Sequence, residues 1–268
     1  MREYRARIVD EILKDKLEAK GAILIEGPKW CGKTTTALQV ANSVLRMDEP
    51  SKRESNLKMS EIDPSRLLQG VTPRLIDEWQ IAPKIWDAVR YEVDCRGEEG
   101  QFILTGSAVP VETKEITHSG AGRFTWLTMR TMSLYESQES SGEVSLEELF
   151  DSPDKISGSN AHDIDSLAFL ICRGGWPHAI GMKRKAALSQ AEDYFDAVVK
   201  SDINRADGVN KNPERVKRLM RSYARYQGAQ ITGTALRDDI FANETETISE
   251  DTVLSYVNAL KKIFVIED

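Results

Sequence analysis

A compact apolar run, Gly21-Ala-Ile-Leu-Ile-Glu26, enters the octapeptide Gly27-Pro-Lys-Trp-Cys-Gly32-Lys33-Thr34. A stretch from Thr34 to Ser43 follows, with Ala37, Leu38, Val40 and Ala41 at helical spacing. The octapeptide satisfies G-x-x-x-x-G-K-[ST], a phosphate loop. No other feature constrains the fold as strongly, because this loop works only between a buried strand and the first turn of a helix. Glycines let the backbone close round phosphate oxygens with successive N–H groups pointing inward. The positive end of the following helix adds to that field. The pattern makes Gly27, Pro28, Lys29, Trp30, Cys31, Gly32, Lys33, Thr34 and Thr35 the candidate phosphate-binding set. Lys33 would bridge the β- and γ-phosphates and the Thr34 hydroxyl would ligate Mg²⁺. The competing reading is a glycine turn with an incidental lysine. The flanking strand and helix patterns argue against it.

The rest of the first 130 residues alternates in the same way. Val44-Leu-Arg-Met47 reads as a second strand, and residues 51–63 as a polar loop or frayed helix. Arg74-Leu-Ile-Asp-Glu-Trp79 is a third strand. Pro83 opens a helix with Ile85, Trp86, Val89 and Val93 on one face. Gln101-Phe-Ile-Leu-Thr105 and Phe124-Thr-Trp-Leu-Thr-Met129 complete five strands. Strands alternating with helices imply an α/β fold with a parallel sheet covered on both faces.

The strand ends carry the remaining chemistry. Asp77, 44 residues after Lys33, sits where a carboxylate can hold Mg²⁺ directly or through water. Glu78 beside it is placed to polarise an attacking water; the alternative is that both acids merely cap a strand. Thr105-Gly-Ser107 ends the next strand. Ser107, with Thr105 close behind, could sense a γ-phosphate; a strand-end turn with satisfied hydroxyls is the alternative. Arg123 follows the glycine turn Gly120-Ala-Gly122 and could serve as an arginine finger for a neighbouring subunit, or form a surface salt bridge. Cys31, near Lys33 and a helix N-terminus, is either a thiol of lowered pKa open to oxidation or a packing residue. His118, His162 and His178 share no metal-ligand spacing. The chain has no G-x-S-x-G elbow and no guanine-reading Asn-Lys-x-Asp, so ATP is the expected nucleotide.

After Met132 the pattern changes. Ser145 and Glu148 form a capping box, and Asp151 to Asn160 is a polar linker. From Asp163 the apolar periodicity is helical: Leu188, Ala191, Tyr194, Phe195, Val198 and Val199 form one stripe, and Val216, Leu219, Met220, Tyr223 and Tyr226 another. The last helix, Asp251 to Lys262, has Ser249 as its N-cap, and Ile263-Phe-Val-Ile266 reads as a strand. These breaks divide the chain into 1–160, a nucleotide-binding domain, 161–210, a small helical unit, and 211–268, a second helical unit.

These motifs, in this order, resemble the AAA+ superfamily of ATPases, and within it the prokaryotic ATPases that join an AAA+ domain to a C-terminal domain of unknown function. Tyr4-Arg-Ala-Arg-Ile-Val-Asp10, the phosphate loop, Leu75-Ile-Asp-Glu-Trp-Gln80, Phe102-Ile-Leu-Thr-Gly-Ser107, His118-Ser-Gly-Ala-Gly-Arg123 and Arg173-Gly-Gly-Trp-Pro177 carry the likeness. The resemblance implies strand order 5-1-4-3-2, a helical lid, and a winged-helix-like domain whose helices are Glu214–Gln227, Thr234–Phe241 and Asp251–Lys262. It places Tyr4 to Ile8 beside adenine and Ser107, or Thr105, as first sensor. Arg123 becomes a finger acting in trans in a homo-oligomer, and Arg173 is the second-sensor candidate.

Composition bears on partners. The chain of 268 residues has 36 basic and 43 acidic side chains, a net charge of -7, which excludes an indiscriminate nucleic-acid coat protein. Residues 181–237 nevertheless hold 12 bases against 6 acids, and residues 238–268 hold 8 acids against 2 bases. The basic belt is either a surface for a DNA or protein client or a solvated face. Three scattered cysteines without a CxxC pair argue against a disulfide framework and for a reducing cytoplasm. No apolar stretch is long enough for a membrane span, and the first twenty residues are too charged for a signal peptide. Two readings follow: a Mg²⁺-dependent ATPase that drives a client, or a nucleotide-gated DNA-binding or regulatory module with little hydrolysis. Ile263–Ile266, as a first wing strand without a partner, adds the expectation that the chain is a fragment of a longer protein.

Overall fold

The structure, a computed structural model, describes residues 3–107, 120–244 and 247–267. Five strands form one parallel sheet: β1 (Ala22–Glu26), β2 (Ser43–Arg46), β3 (Arg74–Asp77), β4 (Phe102–Gly106) and β5 (Phe124–Thr128), in the order β2-β3-β4-β1-β5. This is the order 5-1-4-3-2 that the resemblance implies. Period-2 alternation puts each strand's side chains into two different cores. Ala22, Leu24, Ile76, Phe102 and Leu104 pack on one face with Ile85, Trp86 and Val89 of α4 (Lys84–Arg96). Ile23, Ile25, Leu75 and Ile103 pack on the other with Leu13 and Leu17 of α1 (Val9–Ala19), Cys31 and Ala37.

Two helical expectations change. The helix after the phosphate loop, α2, spans only Lys33–Ala37. Tighter turns follow (Gln39 N to Thr36 O, Val40 N to Ala37 O), and Asn42 N bonds Pro73 O, so the chain must leave the helix to enter β2. Conversely, part of the polar stretch 51–63 is an ordered helix, α3 (Arg53–Ile62). It turns the small polar residues Asn56 and Ser60 inward and carries a Glu54–Lys58 pair outside. A helix that buries polar atoms shows no apolar periodicity to read.

Beyond β5 the chain is helical: α5 (Leu146–Asp151), α6 (Ile164–Arg173), α7 (Arg184–Ala197), a π-helical turn Val198–Asp202, α8 (Ile203–Arg205), α9 (Pro213–Arg225), α10 (Gly233–Glu244) and α11 (Glu250–Lys262). Ser145 and Glu148 do form a capping box, and Ser249 Oγ accepts from Thr252 N. Tyr194, Val198, Val216, Leu219, Leu236, Val257 and Leu260 build a separate core. Ile263–Ile266 is not a strand. Phe264 takes a left-handed φ of 59° and Val265 N bonds Leu260 O, which closes α11 as a helix terminus. Ile263 is buried in the helical core, with Val265 and Ile266 partly buried against it, so apolar packing rather than strand pairing accounts for the run. The three helices expected of a winged helix correspond to α9–α11, without a strand pair after them among the described residues. No helix of the described residues is long and apolar enough to cross a membrane.

Candidate functional site

The phosphate loop leaves β1 and folds back over β5. Gly27 has φ 146°, and a Cβ there would lie 2.0 Å from Met129 O, so only glycine fits. Gly32, at φ 104°, makes the turn into α2. Lys33 is buried, and its Nζ donates to the carbonyls of Gly27 and Pro28 at 2.8 Å each. Burial lowers its pKa from the ordinary lysine value.

Asp77 is the meeting point of three elements. Its Oδ1 accepts from Thr34 Oγ1 at 2.8 Å and from Thr105 Oγ1 at 2.5 Å. Parallel register sets this up, because Asp77 and Thr105 are paired at the ends of β3 and β4. Thr105 is thus bound to Asp77, while Ser107, also buried, lines the cleft. Glu78 follows in a left-handed conformation, φ 57°. Burial raises its pKa from the ordinary carboxylate value, and Gln80, whose Nε2 donates to Glu78 Oε2 at 2.5 Å, opposes that shift. Lys33, Thr34, Thr35, Glu78 and Ser107 share a cleft of about 2900 Å³ with Tyr4 and Ile8. Tyr4 OH donates to Asp10 Oδ1 at 2.6 Å and lies 3.1 Å from Thr36 Oγ1. Ile8 is exposed, and its N–H donates to Glu136 Oε1.

The donor set fits magnesium. A hydroxyl and a carboxylate oxygen 2.8 Å apart, the first of them on the residue after Lys33, are the hard ligands such an ion takes alongside water and phosphate. Among the described residues no group of three or more His, Cys, Asp or Glu forms an all-protein metal site.

For Cys31 and Arg123 the structure shows the plainer of the two alternatives, and Arg173 has a partner of its own. Burial raises the Cys31 pKa, against the pull of Lys33 and of the Arg7 charge. The thiol is fully enclosed and points at Met129 O, so it is a packing residue. Arg173 is buried and holds Glu139 through both terminal nitrogens, which removes it as a second-sensor candidate. Arg123 is exposed and bonds Asp94 at 2.6 Å, so within its own chain it makes a surface salt bridge away from the cleft. His118 and Ser119 of its motif lie outside the described residues.

Several contacts at the site carry no local signal in the sequence. Arg7 is buried and reaches Glu136, Cys31 O and Arg130 O, each at 2.9 Å, which ties the N-terminal segment to the phosphate loop. Lys29 Nζ meets Asp202 Oδ1 of the π-helical turn at 2.5 Å. Trp30, at φ 65°, sets its ring edge-on to Tyr194 of α7, centroids 5.6 Å apart. Tyr194 in turn contacts Trp176 at 4.7 Å. The phosphate loop therefore touches the helical region with its own side chains. On α9, Lys217 pairs with Glu214 and Arg225 with Asp239, and Arg215, Arg218 and Arg221 are not free either.

Residues 19–138 match the family model described as an AAA domain, and residues 164–268 match one described as a domain of unknown function (DUF8612). No curated protein matches the sequence. Among solved structures, the Walker-type ATPase PABY2304 of Pyrococcus abyssi superposes with a TM-score of 0.55 at 13% identity, over 95% of this chain and 88% of that one. The C. elegans PCH-2 structure aligns over 90% of this chain and 60% of that one at 16% identity. Its TM-score of 0.28 is too low for a shared fold to be read from it. The chain has the fold of a P-loop, AAA-like ATPase, with one region similar to an AAA domain and a later one similar to a domain of unknown function.

Proposed function

We propose that the protein binds ATP with Mg²⁺, hydrolyses it, and uses the change of nucleotide state to move its helical region on a client. The observation that carries this reading is the convergence of Thr34, Asp77 and Thr105 behind a complete phosphate loop, with Glu78 at the same strand end. Backbone amides of Gly27–Thr34 and the Lys33 ammonium would take the phosphates, and Thr34 and Asp77 would hold Mg²⁺. When bound, that ion supplies charge neutralisation between the β- and γ-phosphates. Glu78 takes the proton of a water whose oxygen bonds to the γ-phosphorus. The bond from that phosphorus to the bridging oxygen breaks, and ADP leaves with its electron pair. Ser107 stands at the next strand end to sense the γ-phosphate, and Tyr4 to Ile8 form the wall beside the base. Lys29–Asp202 and Trp30–Tyr194 give the loop a direct hold on the helical region.

Arg123 would act in trans in a homo-oligomer, exchanging its exposed Asp94 partner for a neighbour's phosphate. The test is turnover of purified protein with ATP and Mg²⁺ across a range of protein concentrations. Glu78→Gln is expected to lower kcat about 100-fold or more, and Arg123→Ala to lower turnover where wild type oligomerises. Equal turnover by wild type and Glu78→Gln would refute the role of Glu78. The second reading, a nucleotide-gated DNA-binding or regulatory module, draws on the excess of bases over residues 181–237. Because the α9 cations have partners within the chain, a protein client is favoured over DNA. Salt-dependent DNA binding weakened by Arg218→Glu and Arg221→Glu would reverse that preference.

A further inference from the structure

Glu78 is flanked by a polar atom that the chain leaves without a partner. Gln80 Nε2 donates to Glu78 Oε2 at 2.5 Å. A carboxylate only accepts, so the amide nitrogen must face it and the amide oxygen must point elsewhere. That oxygen, Oε1, is buried and has no hydrogen-bond partner. A buried carbonyl in that condition calls for an explanation, a catalytic role or a bound water among them. It lies over the end of β4, where a Cβ on Gly106 would come within 2.6 Å of Oε1 and 3.2 Å of Trp79 Nε1. Glycine at position 106 therefore leaves the room that the Gln80 amide occupies. Gln80, Glu78 and Ser107 line the same cleft as the phosphate loop.

We propose that Gln80 is a positioning residue for the attacking water. Its N–H fixes the Glu78 carboxylate, and a turn of the amide away from Gly106 brings its enclosed, unpartnered carbonyl oxygen to the cleft, where it accepts one hydrogen of the water while Glu78 accepts the other. Two acceptors at a fixed angle turn the water's lone pair toward phosphorus. A carboxylate alone leaves the water free to rotate about one bond. A glutamine amide orients the attacking water in other phosphate-loop enzymes, from a different place in their chains. Gly106 acts at one remove, by giving the amide its seat.

The inference rests on the ATPase reading above, and the experiment separates the two. ATP turnover and binding of a fluorescent ATP analogue are measured for wild type, Gln80→Met, Gly106→Ala and the double variant. Methionine keeps the volume of glutamine and removes both polar atoms. The expected result is a kcat about 100-fold lower for Gln80→Met, the scale of a misplaced reactant, with KM and analogue affinity within about twofold of wild type. Gly106→Ala should reproduce the kcat loss by displacing the amide, and the two losses should not multiply in the double variant. Gln80→Met with wild-type kcat overturns the proposal, as does a raised KM with unchanged kcat. A wild-type protein that turns over no ATP overturns the ATPase reading and this inference with it.

Discussion

At the scale of single residues, burial can override what the local sequence favours. Cys31 and Lys33 both sit in the phosphate loop, where a helix N-terminus and a lysine would be expected to favour a thiolate. Enclosure by α1, β5 and the loop outweighs both, because removing a thiolate from water costs more than a nearby cation returns. The thiol should therefore be inert in the folded protein. With iodoacetamide near pH 7.5, the exposed Cys95 and Cys172 are expected to alkylate in the native state and Cys31 only after unfolding, as peptide mass mapping would read. Early modification of Cys31 would restore the oxidation-sensitive reading. Asp77 shows the same dependence on surroundings: its carboxylate receives Thr34 and Thr105 because three strand and helix ends meet there.

At the scale of elements, the phosphate loop has two sides. Its backbone and Lys33 face the cradle, while Lys29 and Trp30 face α7 and the π-helical turn that follows it. Such turns mark places where a helix has been altered to aim a side chain. Here the result is Asp202, largely buried, against the half-exposed Lys29. Removing Lys29 strands that carboxylate. Lys29→Ala is expected to cost about 1–3 kcal/mol of stability, and the double variant with Asp202→Ala less than the two single losses added. Denaturant titration of the four proteins closes the cycle. A coupling energy near zero would show that the contact contributes nothing, and would weaken the case for movement relayed through the loop.

At the scale of the whole molecule, the sheet region and the helical region are joined by polar ties that bridge long stretches of chain. Arg173 of α6 holds Glu139, Arg130 holds Glu267 in a two-pronged exposed pair, and Met132 N bonds Gly175 O. The Arg173 guanidinium, ahead of the opposing effect of burial, holds the Glu139 carboxyl below its ordinary pKa. The folded value is depressed, so the stabilisation is present above the unfolded glutamate value of about 4.3. It is lost as the pH falls through the lower folded value. Thermal melts between pH 6 and pH 3 should show the wild type losing stability at the acid end, with a flatter limb for Glu139→Gln. Arg173→Ala should cost about 3 kcal/mol at neutral pH, since it leaves the Glu139 carboxylate without its cation and, among the described residues, with only the Ser137 hydroxyl donating to it. Identical acid limbs in wild type and Glu139→Gln would remove the tie from the account.

The parts legible in the sequence are those whose signal is local. Ile23 and Ile25 alternate with Ala22 and Leu24 because a strand has period 2, so both faces of the buried sheet are written into one run. Gly27 and Gly32 announce their backbone angles, and Asp77-Glu78 stands at the end of an apolar run that can be a buried strand. The helix α3 stayed hidden because its inward residues are polar, and Ile263–Ile266 misled because an apolar run can close a helix as readily as extend a sheet. By itself, then, the sequence determined the parallel α/β core and the phosphate-loop chemistry it can house, through hydrophobic period and glycine placement. Only the tertiary structure decided that Arg7 would brace the loop against Glu136, that Asp202 would meet Lys29, and that Arg173 would be given to Glu139 instead of the cleft. Those choices pair charges 129, 173 and 34 residues apart. A charge carries no mark of its distant partner until burial makes leaving it unpaired too costly.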